Sequence, residues 1–169
     1  MFLDEAVASD RGIANNFDAM PVPSLVTAGL LPVGIHDATL AEIEEAFGRA
    51  NDTRIQLFHN LTAFCAELDV FGTLIKGIFV DGSFVTNKAV PSDIDLVVIH
   101  DEDDYLALDD HENAEFLHED RAADLYKFDL FVEFDETAMV RFFQNVSAEF
   151  AIENGLAPGH PKGMLRVKR

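Results

Sequence analysis

The stretch Leu74 to Ile99, LIKGIFVDGSFVTNKAVPSDIDLVVI, most constrains what this chain can fold into. An apolar run breaks at Gly82-Ser83, passes through a polar loop, and resumes as a second apolar run that carries Asp93 and Asp95 at its start. The pattern predicts a buried strand from Leu74 to Val80, a tight turn, and a second strand under the aspartates. Side chains alternate faces along a strand, so Asp93, Asp95 and Val97 share one face while Ile94, Leu96 and Val98 take the other. Two carboxylates therefore project together from a strand whose opposite face is core.

With ~6.6 Å between their backbone positions and an effective dielectric near 20, two such anions repel by roughly 2 to 3 kcal/mol. A divalent cation offsets this best, and hard carboxylate oxygens suit Mg²⁺, which typically sits on one or two carboxylates plus substrate phosphates. Upstream, Gly82 lets backbone N–H groups approach a ligand closely and Ser83 adds a hydroxyl donor, so the turn can hold a phosphate. Gly82, Ser83, Asp93 and Asp95 are thus candidate site residues, and Lys88, in the loop between them, is a candidate phosphate contact or a solvated loop lysine.

Gly82-Ser83, nine intervening residues, then Asp93-Ile94-Asp95-Leu96 resembles the signature of the DNA polymerase beta-like nucleotidyltransferase superfamily. The resemblance implies an α/β (α+β) fold with a mixed sheet and helices packed mainly on one face, two Mg²⁺ ions (or Mn²⁺), and a nucleoside triphosphate as substrate. It also implies a third metal carboxylate from a neighbouring strand, and Asp129 is the position that matches best. Independently, an acid in the middle of the apolar strand LYKFDLFVEF is costly to bury unless it is paired or metal-bound. Glu133, four residues on and on the same face, is the fallback; solvent exposure, or an ion pair to Lys127 or a C-terminal base, is the alternative for Asp129. Asp81 departs from the apolar residue the superfamily often has before the glycine, and either caps the turn or repels a triphosphate. A narrower resemblance, carried by LPVGIHDAT at 31–39, DGSFVT at 81–86, FFQ at 142–144 and Pro161-Lys162-Gly163, is to small stand-alone bacterial nucleotidyltransferase-like proteins. On it, Gln144 and Lys162 are candidates to approach a nucleotide, and Phe142 and Phe143 are most simply core.

The 169 residues suit one domain able to bury about two-thirds of its unfolded surface. An extended N-terminal arm is expected over 1–35, where prolines at 21, 23 and 32 argue against a long helix, followed by the nucleotidyltransferase-like domain over 36–169. Cys65, the only cysteine, has no internal disulfide partner and lies in a helical pattern, which fits a reducing cytoplasm and a small core residue rather than a catalytic thiol. The acidic N-terminus MFLDEAVASD is unlike a signal peptide, and no apolar run approaches a membrane span, so a cytoplasmic protein is expected.

The formal charge is −19, and Asp101 to Glu136 alone holds fifteen acids against two bases. Such a surface repels a phosphate backbone, which argues against broad nucleic-acid binding and makes a basic protein partner plausible. Four of the twelve bases fall between Lys162 and Arg169.

Along the chain, Asp37 precedes a helical pattern ending near Gly48, with Leu40, Ile43 and Phe47 at helical spacing. Asn51 is a candidate cap for a second helix to Leu68, with Ile55, Phe58, Leu61, Cys65 and Leu68 on its buried side. A helix is expected from about Asp110 to Ala122, a strand from Leu125 to Phe134, a last helix from Glu136 to Val146, and a short edge strand over Gly163–Lys168 with Arg166 and Lys168 exposed. His111, Glu115 and His118 are spaced to share one helix face, but a solvated face explains them without a metal; His36, His59, His100 and His160 form no ligand spacing.

The sequence thus points to a metal-dependent nucleotidyltransferase moving a nucleoside monophosphate to an acceptor hydroxyl on a small molecule or protein. The alternative is a non-catalytic, antitoxin-like protein of the same fold that binds a basic partner through its acidic surface.

Overall fold

The computed structural model describes residues 22–107 and 117–169. Its centre is a mixed five-stranded sheet in the order β1-β5-β2-β3-β4, formed by β1 (Gly34–Ala38), β2 (Ile75–Asp81), β3 (Ile94–His100), β4 (Phe128–Glu133) and β5 (Gly163–Val167). β2 pairs antiparallel with β3 and β5, while β1–β5 and β3–β4 are parallel.

The helices are α1 (Leu40–Ile43), continued by a wider π-helical turn over Glu44–Gly48, then α2 (Asp52–Leu68), α3 (Glu102–Leu106), α4 (Glu119–Tyr126), α5 (Glu136–Phe143) and α6 (Ala148–Glu153). Among the described residues none is long and apolar enough to cross a membrane. The expected α+β architecture is therefore present. The larger core layer lies on one face, where Leu57, Leu61, Phe64 and Leu68 of α2 and Ala122 and Tyr126 of α4 pack on Ile78, Val80, Ile94, Leu96, Val98 and Leu130. On the opposite face a smaller cluster joins Phe143 of α5 to Phe79, Val97 and Met164, with Phe131 and Met139 packed against it. Alternation along β3 thus feeds both layers, as the sequence pattern requires.

Several boundaries differ from the sequence-based expectation. β1 was not foreseen: Asp37 lies inside it, and the helix cap is Thr39, whose side chain accepts from the Glu42 N–H while Glu42 reaches back to the Thr39 N–H. Only residues 22–33 of the arm expected over 1–35 precede β1 among the described residues. Gly163–Val167 is an interior strand rather than an edge, because β1 covers its other side, and Arg166 is half-buried in an ion pair with Asp37. Ile55 faces outward, and Arg54 is buried in its stead. The helix expected over 110–122 falls partly on undescribed residues; its described part begins at Glu119 and runs on to Tyr126, so the following strand starts three residues later than Leu125. His111 and Glu115 lie outside the described residues. The last predicted helix stops at Phe143, and Val146 packs instead with Leu30 and Ala151 against α6, which was not foreseen.

Phe142 is 68% exposed whereas its neighbour Phe143 is buried against Phe131, with ring centroids 4.9 Å apart. Phe143→Ala is therefore expected to cost about 3 to 5 kcal/mol in a urea unfolding titration and Phe142→Ala less than about 1 kcal/mol. Equal losses would mean that α5 is rotated from the orientation described here.

Candidate active site

The site begins with strand register. Asp81, the last residue of β2, stands opposite Asp95 of β3, and Asp95 stands opposite Asp129 of β4. The row one step further into the sheet is Phe79, Val97 and Phe131, which belongs to the smaller core cluster. Residues two apart on a strand share a face, so Asp81, Asp95 and Asp129 form a row on the α5 side at the end of the sheet. Asp93 precedes β3 by one residue and accepts a hydrogen bond from the Ser92 hydroxyl at 3.1 Å.

Two local features fix this register. α4 ends on Lys127, a non-glycine residue in the left-handed region at φ 60°, whose carbonyl accepts from the Ile94 N–H at 3.1 Å. That bond starts β4 alongside β3 and brings Asp129 level with Asp95. At the end of β2 the chain turns through Gly82 at φ +76°, where a Cβ would stand 1.7 Å from Oδ2 of Asp95. Only glycine both adopts this φ without strain and leaves that space to the carboxylate.

The turn continues as a single 3-10 turn, Gly82–Val85. The Ser83 hydroxyl is buried, yet among the described residues it has no hydrogen-bond partner. A polar group shut away from water in this state costs about 1 to 3 kcal/mol, and native structures rarely leave one without a purpose.

The electrostatics are those of crowded acids with one direct cation. Asp81 is 1% exposed, and both of its carboxylate oxygens accept from the Lys162 ammonium. Burial pushes the Asp81 carboxyl upward, with Lys162 and the Gly82 N–H pulling the other way. Lys162 enters from the segment before β5, where its own N–H donates to the Gln144 carbonyl at 2.9 Å. Asp95 is pushed up to about 6, chiefly by burial and then by the neighbouring charges of Asp81, Asp93 and Asp129, against which Lys162 is the opposing influence. Asp129 is exposed on the outermost strand, and among the described residues no ion pair involves it.

The structure thus brings Gly82, Ser83, Asp93, Asp95 and Asp129 to one end of the sheet, and adds Asp81 and Lys162. The fallback ligand Glu133 is excluded: it stands opposite Ile99, four residues or ~13 Å along β4 from Asp129. Lys88 is an exposed loop residue whose backbone carbonyl, not its ammonium, has a partner. Gln144 contributes through its backbone to the placing of Lys162. Sequence reasoning gave Asp81 and Lys162 as separate possibilities and missed that they are one pair; eighty-one residues separate them, and only the β5–β2 pairing brings them together. It missed Arg54 entirely.

Whether the donors suit a divalent cation can be tested on these features. All are carboxylate oxygens, adjacent across the strands, and Asp95 is raised by burial first and by the neighbouring charges after it. Among the described residues, however, no three acidic, histidine or cysteine side chains already converge on one point. As hard oxygen donors on neighbouring strands the acids fit Mg²⁺ in chemistry.

The raised Asp95 pKa carries a sign. Its folded value of about 6 lies above the usual 3.8, so the folded state holds the proton more tightly and stability falls as pH rises from about 4 through about 6. Asp95→Asn removes that dependence, and above pH 6 the variant should be more stable than the parent by about 2 to 3 kcal/mol. Urea titrations at pH 4 and pH 7.5 check this; a variant less stable than the parent at pH 7.5 would contradict the crowding of charge described here.

No curated protein and no solved structure matches the chain. Residues 23–168, from before β1 to beyond β5, match one family model, described as a family of unknown function (DUF6932). With nearly all of its described fold and every candidate site residue inside that match, the chain belongs to this family.

Proposed function

We propose that the protein is a metal-dependent nucleotidyltransferase that moves a nucleoside monophosphate from a nucleoside triphosphate to an acceptor hydroxyl. One observation carries the reading: the register row of Asp81, Asp95 and Asp129 lies directly beside the Gly82 turn, which adds a buried hydroxyl with no partner. Anion-binding and cation-binding groups side by side are what a magnesium-bound triphosphate requires.

Asp93, Asp95 and Asp129 would hold Mg²⁺, which when bound supplies charge neutralisation of the triphosphate and of the departing pyrophosphate. Ser83 would donate its hydroxyl to a phosphate oxygen, and the close backbone approach at Gly82 leaves room for one. Asp129, exposed at the open edge, would take the proton of the acceptor hydroxyl as that oxygen bonds to the α-phosphorus and the bond to pyrophosphate breaks. Lys162 keeps the buried Asp81 neutralised, which limits the negative potential that an incoming triphosphate meets. The acidic surface favours a small molecule or a protein as acceptor over a long nucleic acid.

A second reading has its own support. Lys162 already supplies an internal cation to the row, as suits a protein that keeps the fold without turnover and binds a basic partner through its acidic surface.

Calorimetric titration with Mg²⁺ and each ribonucleoside triphosphate, beside an Asp93→Ala/Asp95→Ala double variant, separates the two. The transferase reading expects magnesium-dependent binding in the parent, weaker by at least about 100-fold in the double variant, from the loss of two charge-assisted ligands. It also expects magnesium to raise the thermal midpoint of the parent alone. Binding that is absent, or equal in both proteins, leaves only the second reading.

A further inference from the structure

Arg54 of α2 is 4% exposed, and among the described residues its guanidinium has no carboxylate partner. It donates instead to four backbone carbonyls: Nη1 to Phe47 at 3.0 Å and Phe84 at 2.7 Å, Nη2 to Thr86 at 2.9 Å and Lys88 at 2.5 Å. Its carbon also sits 5.5 Å from the centre of the Phe84 ring. A buried charge without a counter-ion is costly, and burial lowers the Arg54 pKa from its ordinary value. The carbonyl dipoles are the compensation. Three of the four belong to the chain that leaves Ser83, and the cap of α2 adds a fifth contact, from the Asn51 side-chain amide to the Ala89 carbonyl at 2.7 Å.

We propose that Arg54 is the positioning residue of the Ser83 turn: from α2 it gathers the carbonyls of Phe84, Thr86 and Lys88, holding the phosphate-binding backbone in one conformation and lending it an unneutralised positive charge. The inference rests on the nucleotidyl-transfer reading of the site. Its physics is preorganisation. A loop fixed before its ligand arrives loses less freedom on binding. Alternate carbonyls, those of residues 84, 86 and 88, are turned toward the guanidinium, so the negative ends of these dipoles are taken up by Arg54. Carbonyls soften the charge of Arg54 without cancelling it, whereas the charge of Lys162 is matched by Asp81. A lysine at position 54 keeps the charge but cannot present two nitrogens to four acceptors.

The test uses the full chain, with Mg²⁺ and each ribonucleoside triphosphate as probe, in the parent, Arg54→Lys and Asn51→Ser. Serine keeps the helix cap and removes only the amide that holds Ala89, so this variant stays folded if Arg54→Lys does not. Binding is expected to weaken about tenfold in Arg54→Lys and two- to threefold in Asn51→Ser. Deuterium exchange should rise across residues 82–89 and stay unchanged in β3 and β4. Millimolar guanidinium should partly restore affinity in an Arg54→Gly variant, which a residue needed only for core packing would not allow. A parent that binds no triphosphate overturns the functional reading and this inference with it. A parent that binds, with Arg54→Lys and Asn51→Ser binding equally well, overturns the inference alone. Weakened binding with exchange raised throughout the sheet also overturns it, by making Arg54 a general core residue.

Discussion

The antiparallel pairing of β2 with β3 is the constraint on which the rest depends. It sets Asp81 directly against Asp95, two acids on one face across a single strand spacing, when nearly every neighbour on the opposite face is apolar. Like charges so placed destabilise a sheet. Much of the remaining architecture can be understood as a response to that pair. β5 enters beside β2 and delivers Lys162 to Asp81, while β4 adds a third acid at the exposed edge rather than in the middle of the sheet. The arrangement leaves Asp95 half-compensated, with its carboxyl pushed up to about 6 by burial and by the charges around it.

Two cations, buried Arg54 and half-buried Lys162, serve this end of the molecule by different means. Lys162 is a point charge on a flexible stem and meets a single carboxylate. Arg54 is a planar fork, and it donates to four backbone carbonyls. The first removes charge from the site; the second organises a loop next to it. Their division of labour follows from side-chain geometry, since four acceptors spread over residues 47 to 88 can be reached only by a group with several rigid donors.

The central hairpin was legible because its information is local. Alternation fixed the face of Asp95, and glycine followed by serine marked the turn; both strand types and the α2 cap at Asn51 followed from neighbouring residues. What failed to show depends on distant pairing. β1 is five residues long and owes its existence to β5, more than a hundred residues later, so nothing near Gly34 announces a strand. For the same reason Gly163–Val167 read as an edge. Asp129 could be separated from Glu133 only by register, since both are acids of one face on one strand. Arg54 escaped notice because a charged residue within an amphipathic helix normally faces water, and Ile55 beside it offered a conventional apolar position. Phe142 and Phe143 look alike in sequence, yet a helix turns by about 100° per residue, and at this end of α5 the turn carries Phe143 onto the sheet and Phe142 into solvent.

The boundary between core and site on the α5 face is a single step of register. Phe79, Val97 and Phe131 are covered by Phe143 and its neighbours, and the next row along is Asp81, Asp95 and Asp129. An apolar wall this close keeps water from one side of the carboxylates, which strengthens both their repulsion for each other and their attraction for any cation. The same wall explains why burial outweighs every neighbouring charge in raising Asp95. A fully hydrated acid cluster would be comfortable and bind metal weakly; one enclosed on all sides would simply be protonated. With α5 covering one row and stopping short of the next, Asp95 lies between these limits, Asp81 requires its own lysine, and Asp129 stays open to whatever molecule approaches the edge of the sheet.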